Sequence, residues 1–291
     1  MKLNRIIQGL LIVLIAQSCA TKKLTEQGNT AYDSGAYDTT LSALGKVIEK
    51  RESQNKKAEP EIYFKAGMAA HKLGKTDTAL EYLEKAERLE FSSPELYASQ
   101  AKIYKKIDNL SKEISALEEY YEKYPEGEEI DDVKVRLFET YVESENWKLA
   151  VDLWSDLKEE DRDNLDLLTG YLIANENLEN DELCDKLARQ ILEKDSNNIP
   201  ALEWLAKKHF WDAEDTYIRE MKAYEKNKTR KQYKKLMSEW DGIWENFRKS
   251  RDYFLKLYKL DPKPEYAEYL GNVYTRLDDE QKAEYYYQKA E

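Results

Sequence analysis

A spacing of 34 residues recurs along this chain and constrains its fold more than any other feature. Pro60 and Pro94 stand that far apart, as do Tyr63 and Tyr97, Gly67 and Ala101, and Leu83 and Leu117. Such self-similarity marks a repeat architecture, in which one supersecondary unit cannot bury its apolar face alone and stacks on its neighbours. A shorter spacing of twelve recurs inside the units, clearly in Gly67–Ala79, Phe138–Ala150 and Gly271–Ala283 and faintly in Gly28–Thr40 and Ala101–Glu113. Ala86 and Ala290 follow Ala79 and Ala283 by seven residues, two turns on and on the same helical face. Small residues at these points let two antiparallel helices approach closely. Tyr104, Leu83, Trp154 and Tyr287 are placed to fill the space between successive units.

This pattern resembles the tetratricopeptide repeat, a 34-residue helix–turn–helix with small residues at its eighth, twentieth and twenty-seventh positions. The segment from Lys65 to Leu89, KAGMAAHKLGKTDTALEYLEKAERL, follows it almost throughout, as do residues 264–291 through Leu270, Gly271, Tyr274, Ala283, Tyr287 and Ala290. The unit from Pro94 closes with Pro125 at the family's closing proline. Residues 21–54 keep the frame through Gly28, Gly35 and Tyr37, and residues 131–162 through Tyr141, Trp147 and Ala150. Residues 163–198 fit through Gly170 with two extra residues in the turn, which puts Cys184 at the place of Ala79 as a small core residue. The resemblance implies an all-α, right-handed superhelical solenoid of roughly seven units over residues 19–291.

The frame breaks once. From Ala206 to Gly271 there are 65 residues where one unit needs 34. Phe210, Trp211, Tyr217, Ile218, Met221 and Tyr224 continue a helical stripe past the expected turn. A new stripe then runs through Tyr233, Leu236, Met237, Trp240, Ile243, Trp244, Phe247, Phe254 and Leu257 at coiled-coil spacing. The pattern predicts one unit with both helices lengthened by about 15 residues, roughly 22 Å at 1.5 Å each. The two are expected to pack as an antiparallel hairpin around residues 212–246. Arg219 to Lys235 carries eight basic residues against two acidic. That charge either solvates a long hairpin or docks the arm on an acidic protein surface or anionic headgroups.

The first 23 residues, MKLNRIIQGLLIVLIAQSCATKK, set basic Lys2 and Arg5 before a short apolar run that ends in small and polar residues. This is the layout of a secretory signal peptide over residues 1–18. Cys19 at its exit resembles the lipobox of bacterial lipoproteins, whose cysteine is acylated and becomes the first mature residue. Ala16 stands where that box usually carries Leu. Ordinary cleavage after Ser18, giving a soluble product, is the competing reading. Without residues 1–18 the chain holds 44 basic and 58 acidic residues, a charge of −14. That balance disfavours nucleic acid as a partner.

No phosphate loop, nucleophile elbow or metal-ligand spacing stands out, and His71 and His209 are far apart in sequence, so neither an enzyme nor a cofactor or metal protein is expected. Stacked helix pairs leave a long surface for binding. The expected function is a non-enzymatic, lipid-anchored scaffold for protein partners of the bacterial envelope, on the outer membrane facing the periplasm, with palmitate carried at Cys19. A receptor for an extracellular glycan or peptide is the alternative, which the 22 Tyr and six Trp would serve by stacking. Candidate partner-binding residues are Phe64, Met68, His71, Lys102 and Lys105 on first helices, and Arg230, Lys231, Lys234 and Lys235 on the arm. The last helix, within residues 280–291, has no polar cap after it and is expected to pair with a partner or a second copy.

Overall fold

A computed structural model describes residues 20–291, and among these no β-strand occurs. Residues 1–18 and Cys19, on which the signal and lipidation readings rest, lie outside the described residues. The helices come in consecutive pairs. They are α1 (20–33) and α2 (Tyr37–Glu52), α3 (Pro60–Lys72) and α4 (Thr76–Arg88), and α5 (Pro94–Lys106) and α6 (Leu110–Lys123). Then follow α7 (Ile130–Glu143) with α8 (Trp147–Leu153), the short α9 (Glu159–Arg162), and α10 (Leu165–Asn177) with α11 (Asp181–Lys194). Last come α12 (Ile199–Lys226) with α13 (Arg230–Leu260), and α14 (Pro264–Arg276) with α15 (Glu280–Ala290). The chain divides into two compact units between Thr140 and Tyr141.

Six of these pairs turn in the same way. Gly35, Gly74, Asp108, Glu145, Glu179 and Asp278 each adopt positive φ two residues before the second helix begins. The next residue's N–H then reaches back to a carbonyl five residues earlier, at 2.8 Å for Ala36 to Ala31, 2.9 Å for Lys75 to Ala70 and 3.0 Å for Asp279 to Tyr274. This is the bond that closes a Schellman motif and satisfies an orphan carbonyl of the first helix. Glycine, which adopts this conformation without strain, holds only two of the six positions.

In the first unit, small residues set the helix spacing as the repeat predicts. A Cβ on Gly67 would lie 2.8 Å from Leu83 Cγ and 3.1 Å from the Leu83 backbone nitrogen. Ala66, Ala69, Ala70, Ala79, Leu83 and Ala86 are fully buried around this contact. The tyrosines are buried too, with their hydroxyls satisfied. Tyr63 donates to Glu52 Oε1 at 2.8 Å, Tyr97 accepts from Lys123 Nζ at 2.9 Å, and Tyr120 accepts from the Glu129 N–H at 3.2 Å. Glu113, buried in α6, takes Arg136 of α7 through two hydrogen bonds of 2.7 and 3.1 Å.

The second unit holds two cores that share α12. One joins α10, α11 and α12 through Leu168, Leu172, Cys184, Ala188, Ile191, Ala201 and Leu205. Cys184 fills the small-residue place predicted for it, and burial pushes its thiol up to about 12. The other core joins α12 to α15 through Ala206, Phe210, Ile243, Phe247, Phe254, Tyr266, Leu270 and Tyr274. The second helix of the 131–162 unit is shorter than the repeat predicts. It breaks after Leu153 into a 3-10 turn, Trp154–Asp156, so that Trp154 stacks flat on Tyr171 with centroids 4.1 Å apart and Leu157 is buried.

The lengthened hairpin is present. α12 has 28 residues and α13 has 31, against 13 in α14. Its seam is narrower than the stripes read from the sequence. The residues turned inward are Ala206, Phe210, Ala213, Tyr217, Glu220 and Tyr224 on α12, and Leu236, Trp240, Ile243, Phe247, Ser250, Phe254 and Leu257 on α13. Both sets keep the alternating three- and four-residue step of a coiled-coil seam. That register leaves Trp211, Ile218, Tyr233 and Met237 off the seam, where they are 43–50% exposed. Two polar residues replace them inside. Ser250 donates to the Ala206 carbonyl at 2.9 Å, and Glu220, 2% exposed, accepts from Lys235 at 2.9 Å and Arg219 at 3.1 Å. His209 packs as a ring, as its neighbours Leu205 and Trp211 suggest, stacked parallel to Tyr253 and 2.9 Å from Asn246 Oδ1.

Candidate functional site

The exposed Trp211 marks a groove of about 580 Å³ in the second unit, between α12 and α14 with Tyr287 of α15 at one end. Its floor is aromatic because the seam that buries Phe210 turns Tyr269 of α14 against it. The two rings meet edge-on at 5.2 Å, and Phe254 stacks on Tyr269 at 4.5 Å from below. Trp211 stands edge-on to Phe210 at 5.1 Å and presents its free face to solvent.

The polar groups of the groove are held in place. Arg276 grips Glu214 with two hydrogen bonds, one of them 2.7 Å, and its guanidinium lies 4.8 Å from the Tyr217 ring centroid. The Glu214 carboxylate raises the already high pKa of Arg276, so the pair is a fixed dipole within the wall. Tyr287 donates to Asn272 Oδ1 at 2.9 Å and lies 3.2 Å from Thr275 Oγ1, which itself donates to the Gly271 carbonyl. Asn272 thus has its oxygen engaged and its amide N–H donors unpartnered among the described residues. At the rim, Glu265 pairs with Lys207 at 2.9 Å, while Glu268 is exposed and makes no ion pair among the described residues. An apolar platform beside a free amide donor and a free carboxylate suits an extended polypeptide, whose backbone carbonyls need donors. It contains no nucleophile–base pair.

The residues expected from sequence are distributed differently. Phe64 and Met68 are buried, and Phe64 stacks on Phe91 at 4.5 Å, so they support the first-helix surface of the first unit from beneath. His71 is half-buried, and burial together with Lys72, Lys102 and Lys106 keeps its pKa below the ordinary value. The structure therefore does bring His71 and Lys102 into one neighbourhood, although Lys102 is paired with Glu129. Lys105 is exposed. On the arm, Arg230, Lys231 and Lys234 are exposed and make no ion pair among the described residues, whereas Lys235 is engaged by Glu220. The groove around Trp211 was not anticipated, because Trp211 reads as part of the hairpin stripe. A strict seam through positions 206, 210, 213 and 217 would have excluded it.

The family profile described as the tetratricopeptide repeat matches residues 60–92. A protein of known structure from Bacteroides ovatus ATCC 8483 is similar in fold at 17% identity and a TM-score of 0.51, over 78% of this chain and all of that one. The C-terminal part of a repeat-containing protein from Cytophaga hutchinsonii aligns at 15% identity over 91% of this chain and 93% of its own, with a TM-score of 0.48. A tetratricopeptide repeat protein from Parabacteroides merdae ATCC 43184 aligns at 12% identity over 93% and 92%, with a TM-score of 0.40. No curated protein matches the sequence. Residues 60–92 match the tetratricopeptide repeat, and the paired helices, Schellman turns and small residues at the close approaches show the same helix–turn–helix pattern elsewhere among the described residues.

Proposed function

We propose that this protein is a non-enzymatic scaffold of the bacterial envelope that holds a segment of a partner protein in the groove of α12 and α14. The observation that carries this reading is the half-exposed Trp211 beside the unpartnered Asn272 amide. Large aromatic side chains flanked by polar groups are the common anchors of protein recognition. Replacing Trp211 and Asn272 with Ala is expected to abolish partner co-purification while leaving helix content unchanged. Unaltered co-purification would contradict the groove as the binding site. An oligosaccharide-induced change in Trp211 fluorescence in the wild-type chain, with co-purification of protein partners unaffected by the two substitutions, would favour the glycan-receptor alternative instead.

The envelope address and lipid anchor are supported by the pattern of residues 1–23. No helix among the described residues is long and apolar enough to cross a membrane. A thioether-linked diacylglycerol on Cys19 would by itself give the two-chain anchoring that stable attachment needs. Cys19→Ala is expected to leave the membrane fraction and to lose palmitate labelling. Labelling that persists in this variant would rule the anchor out. With Ala20 after the cysteine and Thr21-Lys22-Lys23 next, the periplasmic side of the outer membrane is the proposed location, and digestion by protease added to intact cells would argue against it.

A further inference from the structure

We infer that the tip of the α12–α13 hairpin binds a bilayer surface carrying anionic headgroups. From Lys226 to Ser238 there is no acidic residue, and Lys226, Lys228, Arg230, Lys231 and Lys234 are all exposed without ion pairs among the described residues. These charges do not stabilise the fold. Arg230 and Lys231 occupy the first turn of α13, which has no acidic residue, and cations at a helix N-terminus oppose its dipole. The two cations that do have a structural task, Arg219 and Lys235, are the ones that hold the buried Glu220.

Position isolates the tip from the acidic remainder of the molecule. The surplus length of α12 and α13 over α14 carries the Asn227–Thr229 turn roughly 22 Å past the end of an ordinary repeat helix. That is about twice the screening length at 0.1 M salt, so the tip presents its own positive field and not the net negative charge of the chain.

Shape then favours a bilayer over a folded acidic partner. The free cations lie on both helices and on the turn at the end of the hairpin, all of them exposed. Ile218, Tyr233 and Met237 are exposed on the same arm and are of the types that settle at a headgroup boundary. Flat, laterally mobile charge satisfies such an arrangement, whereas a protein partner would need a fitted concavity. The inference uses only residues of the arm and does not depend on Cys19 or on the groove.

The test is co-sedimentation of the full chain with vesicles of one-third phosphatidylglycerol and two-thirds phosphatidylcholine, compared with phosphatidylcholine alone. Wild type is paired with a variant carrying Arg230→Glu, Lys231→Glu and Lys234→Glu, so that any contribution of residues 1–19 cancels. Binding to the anionic vesicles is expected to weaken about a hundredfold in the variant, near fivefold for each cation removed, and to fall with added salt. Lys228→Glu in the turn, where no helix is touched, should weaken it about fivefold by itself. Equal binding by wild type and variant, or binding that ignores phosphatidylglycerol, would overturn the inference. So would binding of soluble polyglutamate by a wild-type chain that leaves anionic vesicles alone, which would assign the arm to an acidic protein.

Discussion

Gly271 exists for Tyr287: a Cβ at position 271 would lie 2.5 Å from Cε1 of the Tyr287 ring, sixteen residues later. Gly67 and Leu83 stand in the same relation in the first unit, and so do Gly28 and Leu44. At the end of the second unit this close approach also delivers the Tyr287 hydroxyl to Asn272, so one missing methyl group links the repeat's packing rule to the groove. Gly67→Ala meets the Leu83 backbone as well as its side chain and should cost about 1–3 kcal/mol, read as a lowered urea midpoint with an unchanged slope. Gly271→Ala has the option of displacing the tyrosine. It should therefore cost less stability than Gly67→Ala and lose more partner binding.

The turns carry removable strain. Asp108, Glu145, Glu179 and Asp278 occupy left-handed conformations that glycine adopts at Gly35 and Gly74. Replacing any of these four by Gly should stabilise the chain by about 0.5–1 kcal/mol, with the strain relieved exceeding the added chain entropy. Gly74→Ala should destabilise it by a similar amount. Thermal melts of the single variants check both directions.

Much of this was legible in the sequence, for a physical reason. The period of 34 survives because Gly67, Ala79, Leu83 and Ala86 each occupy a place where volume is restricted on every side, so a single chain displays the constraint repeatedly. The long hairpin was legible from its surplus length and unbroken helical periodicity. The site was not. Trp211 and Ile218 are apolar and fall one residue beyond the seam, while Glu220 is charged and lies within it, so composition by itself assigns all three to the wrong face. Phe64 and Met68 are buried, Phe64 against Phe91, because a repeat position locates a helix face without saying what covers it.

Glu220 ties the two helices of the hairpin together through Lys235, and the Lys235 hydrogen bond holds its carboxyl below the usual range. Lys235→Met should destabilise the arm by about 1–2 kcal/mol, because a carboxylate removed from water loses its main partner. The double variant with Glu220→Leu should recover most of that loss. A folded-state pKa below the unfolded one means the contribution is complete above the unfolded value and disappears as pH falls through the lowered one. The melting temperature of wild type should therefore fall relative to that of the double variant as pH drops below the ordinary glutamate value.

His209 works in the pH window above this. Burial between α12 and α13 lowers its pKa from the ordinary 6.5, opposed in part by Asn246. Unfolding therefore takes up a proton once the pH drops below that ordinary value. Stability is complete above it and declines as pH falls toward the lowered folded-state value. His71, lowered in the same sense, adds its own slope. Comparing melts of wild type and His209→Gln from pH 7.5 to 5 should show a flatter profile in the variant, and parallel profiles would mean that folding leaves the proton affinity of His209 unchanged.

The proposed function requires that the groove beside Trp211 meets a partner in the cell. A photo-crosslinking amino acid placed at position 211 in living cells, with another at the equally exposed Leu149 as reference, tests that directly. The expected result is a discrete adduct with a second protein from position 211 that is absent from position 149 and is lost with Asn272→Ala. No adduct at 211, or the same adducts from both positions, would contradict the assignment of this groove as the binding site.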